Sequence, residues 1–397
     1  MNQKNVLTYQ NRTLHFGDYS INDVIENNPT PFYLYNIDLL KQNYLFFKET
    51  ISEKFKGEFT VCYAVKSNGH PKFLKTLGEL GSGADIVSVG EYRLAREAGV
   101  LPEKIVFSGV GKTDEEIEEV LTESKATIKS FNVESKDELD SINQIAKGLG
   151  LKAPVAFRLN PDVNAKTHSY IATGGKEHKF GLSSFEIEEI LKLKHEYSNI
   201  EFRGLSIHIG SQLTELDATK KALVELIDLS KLMPELQFLD VGGGLGIPYS
   251  DEDTNLASLE NYISMINETL EQFFPNKLPE LVFEPGRIIS ATTGILVTKV
   301  VRTKNHFLIT DAGMNDLIRP ALYSAYHEVF TVKESSGNHT YDIVGPVCET
   351  GDFFAKNRKL GEVKKGEYLV IGNAGAYGRV MASTYNARPL TKEVFLG

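Results

Sequence analysis

Apolar or β-branched runs alternate with amphipathic stretches through the middle of the chain, from residue 58 to 287. The stretches between the runs, such as SKDELDSINQIAKGLG, repeat their apolar positions at helical spacing. Strand, helix and strand in repetition indicate parallel strands joined by crossover helices. Eight runs within about 230 residues match a (β/α)8 TIM barrel, which we predict in preference to a doubly wound open sheet. The eight predicted strands are EFTVCYAVK, GADIVS, KIVFSG, ATIKSFN, PVAFRLN, FRGLSIHIG, LQFLDVGGG and LVFEPGR.

After residue 290 the pattern changes to β segments with few helices between them. The segments GILVTKVVRTK, HFLITDAG, TYDIVGPVC and EYLVIGNAG are typical of antiparallel strands, and the N-terminal VLTYQNRTLHFGDYS has the same character. We therefore predict a barrel over residues 30–285 and an antiparallel β domain over residues 286–397, which residues 1–29 join. Residues 161–181 are expected to form a long polar loop, and loops of this length are usually functional or mobile.

Composition and charge narrow the class of protein. The chain has 397 residues and a formal net charge of -10, and this acidic balance disfavours nucleic acid as a partner. The N-terminus lacks the apolar segment of a signal peptide, and no apolar run reaches the roughly 18 residues of a membrane span. Cys62 and Cys348 are the only cysteines. Two cysteines do not make a disulfide framework, so we expect a cytoplasmic protein with no membrane partner.

Residues able to do chemistry fall at the ends of predicted strands, where TIM barrels carry their active sites. They are Lys66, Asp85, Arg158, His208, the glycines of residues 242–246, Glu284 and Arg287. Taken singly, each has an ordinary explanation as a surface lysine, a core histidine, a tight turn or a salt bridge. Together, a lysine able to form a Schiff base, a glycine cradle for phosphate, a flat ring and an acid suggest pyridoxal phosphate. No metal site is indicated.

The motifs of the chain resemble those of diaminopimelate decarboxylases, in the alanine-racemase-like barrel group of pyridoxal-phosphate enzymes. The resemblance covers almost the whole chain. It is carried, in the family's order, by YAVKSN, GADIVSVGE, RLNPDVNAKTH, HKFGL, HIGSQ, DVGGGLG, EPGR, RPALYSAYHE, CETGD and GAYG. It implies a carboxy-lyase of lysine biosynthesis that uses pyridoxal 5'-phosphate to convert meso-2,6-diaminopimelate to L-lysine and CO2. It also implies a head-to-tail homodimer with shared active sites.

The resemblance further implies roles for individual residues. Lys66 would be the Schiff-base lysine, His208 would stack on the cofactor ring and Glu284 would pair with its pyridine nitrogen. The other expected cofactor contacts are Asp85, Arg158, Ser211, Gly243, Gly244, Pro285, Gly286, Arg287 and Tyr377. The expected substrate contacts are Arg287, Arg319, Tyr323, Glu349 and Tyr377. Cys348 would be the proton donor, and it and Glu349 would reach the active site of the neighbouring subunit.

Three other interpretations stay open on the sequence. A related decarboxylase would act on ornithine, lysine, arginine or carboxynorspermidine, although RPALY and CETGD argue against it. A racemase of this barrel type would carry an arginine where Glu284 stands. A non-catalytic cofactor carrier or regulator would lack the predicted C-terminal β domain, and a decayed homologue would be expected to lose Lys66 or Cys348.

Overall fold

The chain folds into two compact units, each defined by the contacts among its own residues. The computed structural model describes residues 6–163, 179–213, 215–250 and 256–397. The β unit comprises residues 1–43, 247–254 and 287–397, and the barrel unit comprises residues 44–246 and 255–286. Most of the predicted polar loop, residues 164–178, lies outside the described residues.

Short strands and one short helix open the chain, followed by a longer helix. These elements are β1 (Leu7–Gln10), β2 (Thr13–Phe16), β3 (Tyr19–Ser20), α1 (Ile21–Asn27), β4 (Phe32–Asn36) and α2 (Ile37–Lys54). Strands β1, β2 and β3 form a small antiparallel sheet.

A closed barrel of eight parallel strands forms the core of the barrel unit. Its strands are β5 (Phe59–Ala64), β6 (Gly83–Ile86), β7 (Ile105–Phe107), β8 (Ser130–Val133), β9 (Ala153–Leu159), β10 (Ile200–Ile207), β11 (Phe238–Asp240) and β12 (Glu280–Phe283). Each strand pairs with the next along the chain, and β12 pairs with β5 to close the barrel. The predicted TIM barrel is confirmed, and each of the eight predicted runs overlaps one of these strands.

Helices follow the barrel strands, and most of them begin at capping residues that the sequence supplies. They are α3 (Pro71–Glu79), α4 (Val89–Glu97), α5 (Asp114–Ser124), α6 (Lys136–Leu149), α7 (Ser184–Lys192), α8 (Asp217–Ser230) and α9 (Leu259–Phe273). In five of them a serine or threonine side chain accepts a hydrogen bond from the backbone N–H three residues later, which satisfies a donor of the first turn. At Thr113 and Ser183 a glutamate completes a capping box.

Apolar side chains from several strands fill the barrel interior. The buried cluster consists of Cys62, Val106, Ala156, Phe238 and Val282. The ring of Phe238 occupies the space beside Gly204 on the neighbouring strand, since a Cβ at Gly204 would lie 2.6 Å from that ring. The missing side chain of Gly204 therefore makes room for the largest member of the cluster.

Replacing Phe238 with alanine is expected to lower the free energy of unfolding by about 3–5 kcal/mol, because the empty ring volume faces a glycine that cannot fill it. Urea denaturation followed by circular dichroism measures this change. The matched control is Phe185→Ala, since the Phe185 side chain is 68% exposed and should contribute little. Equal stability of the two variants would contradict the packing described for the barrel.

The rest of the β unit is a mostly antiparallel sheet, as the sequence predicts. Its elements are α10 (Arg287–Ser290), β13 (Gly294–Lys304), β14 (Phe307–Thr310), α11 (Arg319–Tyr323), β15 (Val329–Thr331), β16 (His339–Val344), β17 (Phe353–Leu360), β18 (Tyr368–Ile371) and β19 (Lys392–Leu396). The strand order is β15-β18-β13-β14-β16-β17, and β4 pairs with both β13 and β19. Two pairs, β14 with β16 and β19 with β4, are parallel.

The N-terminal segment contributes to the core of the β unit. Its buried cluster consists of Leu14, Phe16, Ile21, Phe32, Leu34, Ile295, Val297, Val332 and Val370. Residues from both ends of the chain thus pack together, which explains why the N-terminal β segment resembles the C-terminal ones in character. None of the helices in the described ranges is both long and apolar enough to cross a membrane.

Candidate active site

A partly buried ion pair lies at the carboxyl ends of the first two barrel strands. Ala64 and Asp85 stand opposite each other in the β5–β6 pair, and Lys66 follows on a 3-10 turn over residues 65–67. The turn is closed by the Ser67 hydroxyl, which donates to the carbonyl oxygen of Ala64 at 2.8 Å. Lys66 Nζ donates to Asp85 Oδ2 at 2.8 Å, with the lysine side chain 34% exposed and the aspartate fully buried. The strand thus delivers an amine that is held in place but still accessible.

Two further buried acids lie at the ends of β11 and β12. Glu284 follows β12, and the Ser108 hydroxyl donates to its Oε1 at 3.4 Å. Asp240 ends β11 and accepts hydrogen bonds from the Gly242 N–H at 2.9 Å and from Asn132 Nδ2 at 3.2 Å. Burial, and then the nearby charge of Asp240, raise the pKa of Glu284 well above its ordinary value. A cation bound beside Glu284 would favour its charged form.

His208 is a neutral ring at the end of β10. Its Nδ1 accepts a hydrogen bond from the Gly243 N–H at 3.3 Å, so its proton resides on Nε2. Desolvation, followed by the charges of Lys66 and Arg158, lowers the pKa of His208 well below its ordinary value. The ring is therefore uncharged at neutral pH and suited to lie against a flat ligand.

Arg158 is anchored by an acid that the sequence analysis did not single out. Its Nη1 donates to Glu134 Oε1 at 2.9 Å, and its guanidinium carbon lies 4.9 Å from the centre of the Phe180 ring. Glu134 also accepts from the backbone N–H groups of Gly109 and Gly181. The arginine is thus fixed at the mouth of the barrel with its charge balanced by Glu134.

The glycines after β11 are explained by close backbone packing. A Cβ at Gly243 would lie 2.0 Å from the carbonyl oxygen of Glu284, and one at Gly244 would lie 2.1 Å from that of Gly210. Gly244 also has a φ of +98°, which side chains rarely allow. These contacts need glycine with or without a ligand, so phosphate binding at Gly243 and Gly244 stays a prediction.

The barrel mouth encloses a cavity that fits pyridoxal phosphate. Its volume is about 200 Å³, and its lining includes Lys66, Asn132, Phe180, Ser206, His208 and Glu284. Asp85 Oδ1 and Ser206 Oγ are buried and have no hydrogen-bond partner among the described residues. Buried polar atoms are normally satisfied, so Ser206 Oγ in the cavity lining indicates a polar ligand. Two further groups of the cavity match the cofactor. Lys66 offers an amine for the aldehyde, and Glu284 is a buried acid whose charged form a cationic ring would favour.

The β unit contains a second polar cluster, built on two buried arginines. Arg287 Nη1 donates to the Tyr249 hydroxyl at 2.6 Å, and the Arg287 guanidinium lies 4.9 Å from the ring centre of Tyr377. Arg319 lies 4.9 Å from the ring of Tyr249 and 2.8 Å, through Nη1, from His327 Nε2. Although burial acts to raise it, the charges of Arg287 and Arg319 lower the pKa of Tyr249. The cluster thus places the positive charges of two arginines against the aromatic rings of Tyr249 and Tyr377.

Comparisons with known proteins show the family of this chain. Residues 47–291 match the family described as pyridoxal-dependent decarboxylase, pyridoxal binding domain. The diaminopimelate decarboxylase of Haemophilus influenzae is 43% identical over 404 residues, which cover 99% of this chain and 94% of that protein. The chain belongs to the diaminopimelate decarboxylase family.

Two crystal structures of diaminopimelate decarboxylases share the fold of this chain. The Helicobacter pylori protein, complexed with L-lysine, is 41% identical with a TM-score of 0.89, covering 95% of this chain and 94% of that one. The M. jannaschii protein, in co-complex with L-lysine, is 36% identical with a TM-score of 0.92, covering 100% of this chain and 94% of that one. As a member of the diaminopimelate decarboxylase family, the protein is a carboxy-lyase whose cofactor is pyridoxal phosphate.

The structure brings many of the predicted site residues together within each unit. Lys66, Asp85, Arg158, His208 and Glu284 meet at the barrel mouth. Pro285 and Gly286 pack against the turn that carries Lys66: the Ala64 N–H donates to the carbonyl oxygen of Pro285 at 3.0 Å, and a Cβ at Gly286 would lie 3.1 Å from Ser67. Ser211 and Tyr323 are half-buried, whereas Cys348 and Glu349 are exposed, and the Tyr385 hydroxyl donates to Glu349. The roles of all these residues stay predictions.

Several polar residues of the two clusters were missed from the sequence. They are Ser108, Asn132, Glu134, Asp240, Tyr249 and His327. Asp240 and Tyr249 flank the glycine motif in LDVGGGLGIPY, and His327 ends the segment RPALYSAYH. Proximity to these motifs was an available signal, but nothing in one sequence shows that a side chain supports another from behind.

Proposed function

We propose that this protein converts meso-2,6-diaminopimelate to L-lysine and CO2 in lysine biosynthesis. The observation that carries the proposal is the shared cavity of the Lys66 amine and the buried Glu284 acid, the two groups a pyridoxal-phosphate decarboxylase needs. The family supports the substrate, since the related Haemophilus influenzae protein is a diaminopimelate decarboxylase and two related structures hold L-lysine.

Each residue of the barrel mouth would have a distinct task toward the cofactor. Lys66 would hold the aldehyde carbon, and Asp85 would orient the lysine through the ion pair. The neutral ring of His208 would cover one face of the cofactor without adding a competing charge. Glu284 would accept a hydrogen bond from the protonated ring nitrogen and keep that proton in place. When bound, pyridoxal phosphate supplies an electron-poor ring that accepts the electron pair released as the carboxylate departs.

Other residues would bind the substrate and complete the reaction. Arg287, Arg319 and Tyr323 would bind substrate carboxylates, because guanidinium groups form paired hydrogen bonds with carboxylate oxygens. Cys348 would donate a proton to the carbon that has lost its carboxylate, so that a C–H bond replaces a C–C bond and CO2 leaves. Glu349 would bind the amino group at the far end of the substrate.

The assembly and location that we propose follow the family pattern. Cys348 and Glu349 are exposed in one chain, as expected of residues that complete the active site of a second copy. We therefore propose a homodimer with shared active sites. A cytoplasmic location fits the free thiols of Cys62 and Cys348.

Release of CO2 from a panel of diamino acids tests the proposed substrate. The holoenzyme should release CO2 from meso-diaminopimelate with a kcat/KM at least about a hundredfold above that for lysine, ornithine or arginine. A site built to pair both a carboxylate and an amine is left with unpaired groups by a substrate that lacks one. A preference for ornithine or lysine would establish the related decarboxylase activity instead, and release from none of them would contradict the proposal.

A further inference from the structure

The guanidinium of Arg319 is buried among neutral partners. Arg319 is 6% exposed, and its described contacts are the Nε2 atom of His327 and the ring and hydroxyl of Tyr249, with the charge of Arg287 nearby. Within the described ranges, no salt bridge joins Arg319 to a carboxylate. Burial lowers the pKa of Arg319, the sign of a poorly solvated charge. The arginine therefore retains a positive charge that a bound anion would balance.

The hydrogen bonds of His327 fix its tautomer. Its Nδ1 lies 2.8 Å from the carbonyl oxygen of Gly372, which only accepts, so Nδ1 carries the proton. Its Nε2 then has a lone pair and accepts from Arg319 Nη1, because a guanidinium only donates. Burial, followed by the charge of Arg319, lowers the pKa of His327 to about 3. The ring is neutral throughout the physiological pH range.

The imidazole is itself held rigidly. His327 is fully buried, and the Tyr249 ring packs edge-on against it at 5.3 Å with an interplanar angle of 74°. Gly372, which accepts from Nδ1, follows strand β18 and donates its N–H to the carbonyl oxygen of Glu328 at 2.9 Å. A backbone anchor, a fixed ring and one guanidinium nitrogen thus form a continuous chain that sets the direction of the Arg319 fork.

We propose that His327 is a positioning residue whose Nε2 lone pair orients Arg319 to bind the carboxylate that the substrate keeps. The inference rests on the proposed function. A neutral acceptor suits this task better than an aspartate would, because a carboxylate behind Arg319 would neutralise the charge that has to bind the substrate. We assign Arg319 to the carboxylate that stays on the product. An ion pair with the departing carboxylate would stabilise the ground state and oppose the loss of CO2.

Comparing inhibition by L-lysine and by cadaverine measures how much this carboxylate contributes to binding. L-Lysine keeps it, whereas cadaverine has the same two amines and lacks it. In the wild-type holoenzyme, L-lysine should be the tighter inhibitor. If neither compound binds and diaminopimelate is not decarboxylated, the proposed function fails and the role of His327 fails with it. Selective binding of L-lysine establishes the site, and the variants then test His327 alone.

Two amide variants separate the nitrogens of His327. Asparagine places its amide near the position of Nδ1 and leaves Arg319 without an acceptor, whereas glutamine extends a carbonyl oxygen toward the position of Nε2. We expect His327→Asn to raise the inhibition constant for L-lysine and the KM for diaminopimelate by about tenfold to a hundredfold. The constant for cadaverine should change less than about twofold, since it has no carboxylate, and kcat should change little. His327→Gln should recover most of the affinity for L-lysine.

Several outcomes would overturn the inference. Equal weakening of both inhibitors, a fall in kcat at unchanged KM, or a glutamine variant no better than asparagine would each show that the Nε2 lone pair does not orient Arg319. The matched control is His339→Asn, an exposed histidine of the β unit whose loss should leave both inhibition constants unchanged. If His327→Asn fails to fold, nitrogen-15 NMR of histidine-labelled wild-type protein decides. A neutral ring protonated on Nδ1 from pH 5 to 9 supports the inference, and a charged ring or the other tautomer overturns it.

Discussion

Replacing Lys66 with alanine is expected to reduce CO2 release from diaminopimelate by at least about a thousandfold, because no other described residue of the cavity lining supplies an amine for the cofactor aldehyde. Cofactor should still bind through the remaining contacts of the cavity, but without a covalent link. Borohydride reduction followed by peptide mass analysis should label residue 66 of the wild-type protein and not of the variant. A wild-type protein that carries no reducible adduct at Lys66 would contradict the assignment.

A charge-preserving variant separates the covalent role of Lys66 from its ion pair. Lys66→Arg keeps a cation beside Asp85, where Lys66 Nζ now lies 2.8 Å from Oδ2, but offers no amine to an aldehyde. If Lys66 acts covalently, arginine and alanine should be equally inactive. Recovery of activity in the arginine variant would show that only the charge matters.

The alanine variant of Lys66 also tests whether active sites are shared between subunits. Lys66→Ala and Cys348→Ala should each be inactive alone. When the two chains are mixed and allowed to exchange, one of the two sites of a mixed dimer would hold both native residues, so part of the activity should return. No recovery, with exchange of subunits shown by mass spectrometry, would place Cys348 and Lys66 of the same chain in one site.

The second large effect is expected at Glu284. Glutamine keeps its shape but cannot carry the negative charge that holds a proton on the cofactor ring nitrogen. Turnover should fall by about a hundredfold to a thousandfold, the usual cost of one electrostatic catalytic group. Cofactor affinity should change less than about tenfold, since Lys66 still supplies the covalent link. Steady-state kinetics and titration of the apoprotein with pyridoxal phosphate measure the two quantities.

Loss of folding should not account for the effect of Glu284→Gln. Burial and Asp240 already raise the pKa of Glu284, so a neutral amide should leave the cofactor-free protein at least as stable toward urea. The matched control is Ser108→Ala, which removes the 3.4 Å hydrogen bond to Glu284 Oε1 and the 3.2 Å hydrogen bond that Ser108 Oγ accepts from Asn132 Nδ2. It leaves the charge of Glu284 in place and should cost less than about tenfold in turnover. Wild-type turnover of Glu284→Gln would contradict a role for its charge.

Residues that lie at the end of a strand could be predicted from the sequence. Lys66, His208 and Glu284 each follow a run whose apolar pattern marks it as a barrel strand. Because parallel strands in a barrel bring their carboxyl ends to the same mouth, order along the chain was enough to group them. The motifs around them then gave the family, which the comparisons confirmed.

Residues that act through another side chain could not be predicted in this way. Asp240 raises the pKa of Glu284, and Glu134 balances the charge of Arg158. His327 accepts a hydrogen bond from Arg319. Each of these pairs joins residues whose hydrogen bond depends on side-chain direction and on the exclusion of water. A histidine eight residues after Arg319 gives no hint that its proton is fixed on the far nitrogen by a backbone carbonyl.

By itself the sequence determined the barrel, the mostly antiparallel β domain and the lysine, histidine and acid at the barrel mouth. The reason is that period, strand order and motif spacing are one-dimensional properties that the fold preserves. Only the tertiary structure decided the electrostatics and direction of these groups: a Glu284 whose pKa is raised by burial and by Asp240, a neutral His208 and an Arg319 held by a neutral ring. Charge and direction depend on burial and on neighbours distant in sequence, so they exist only after the chain has folded.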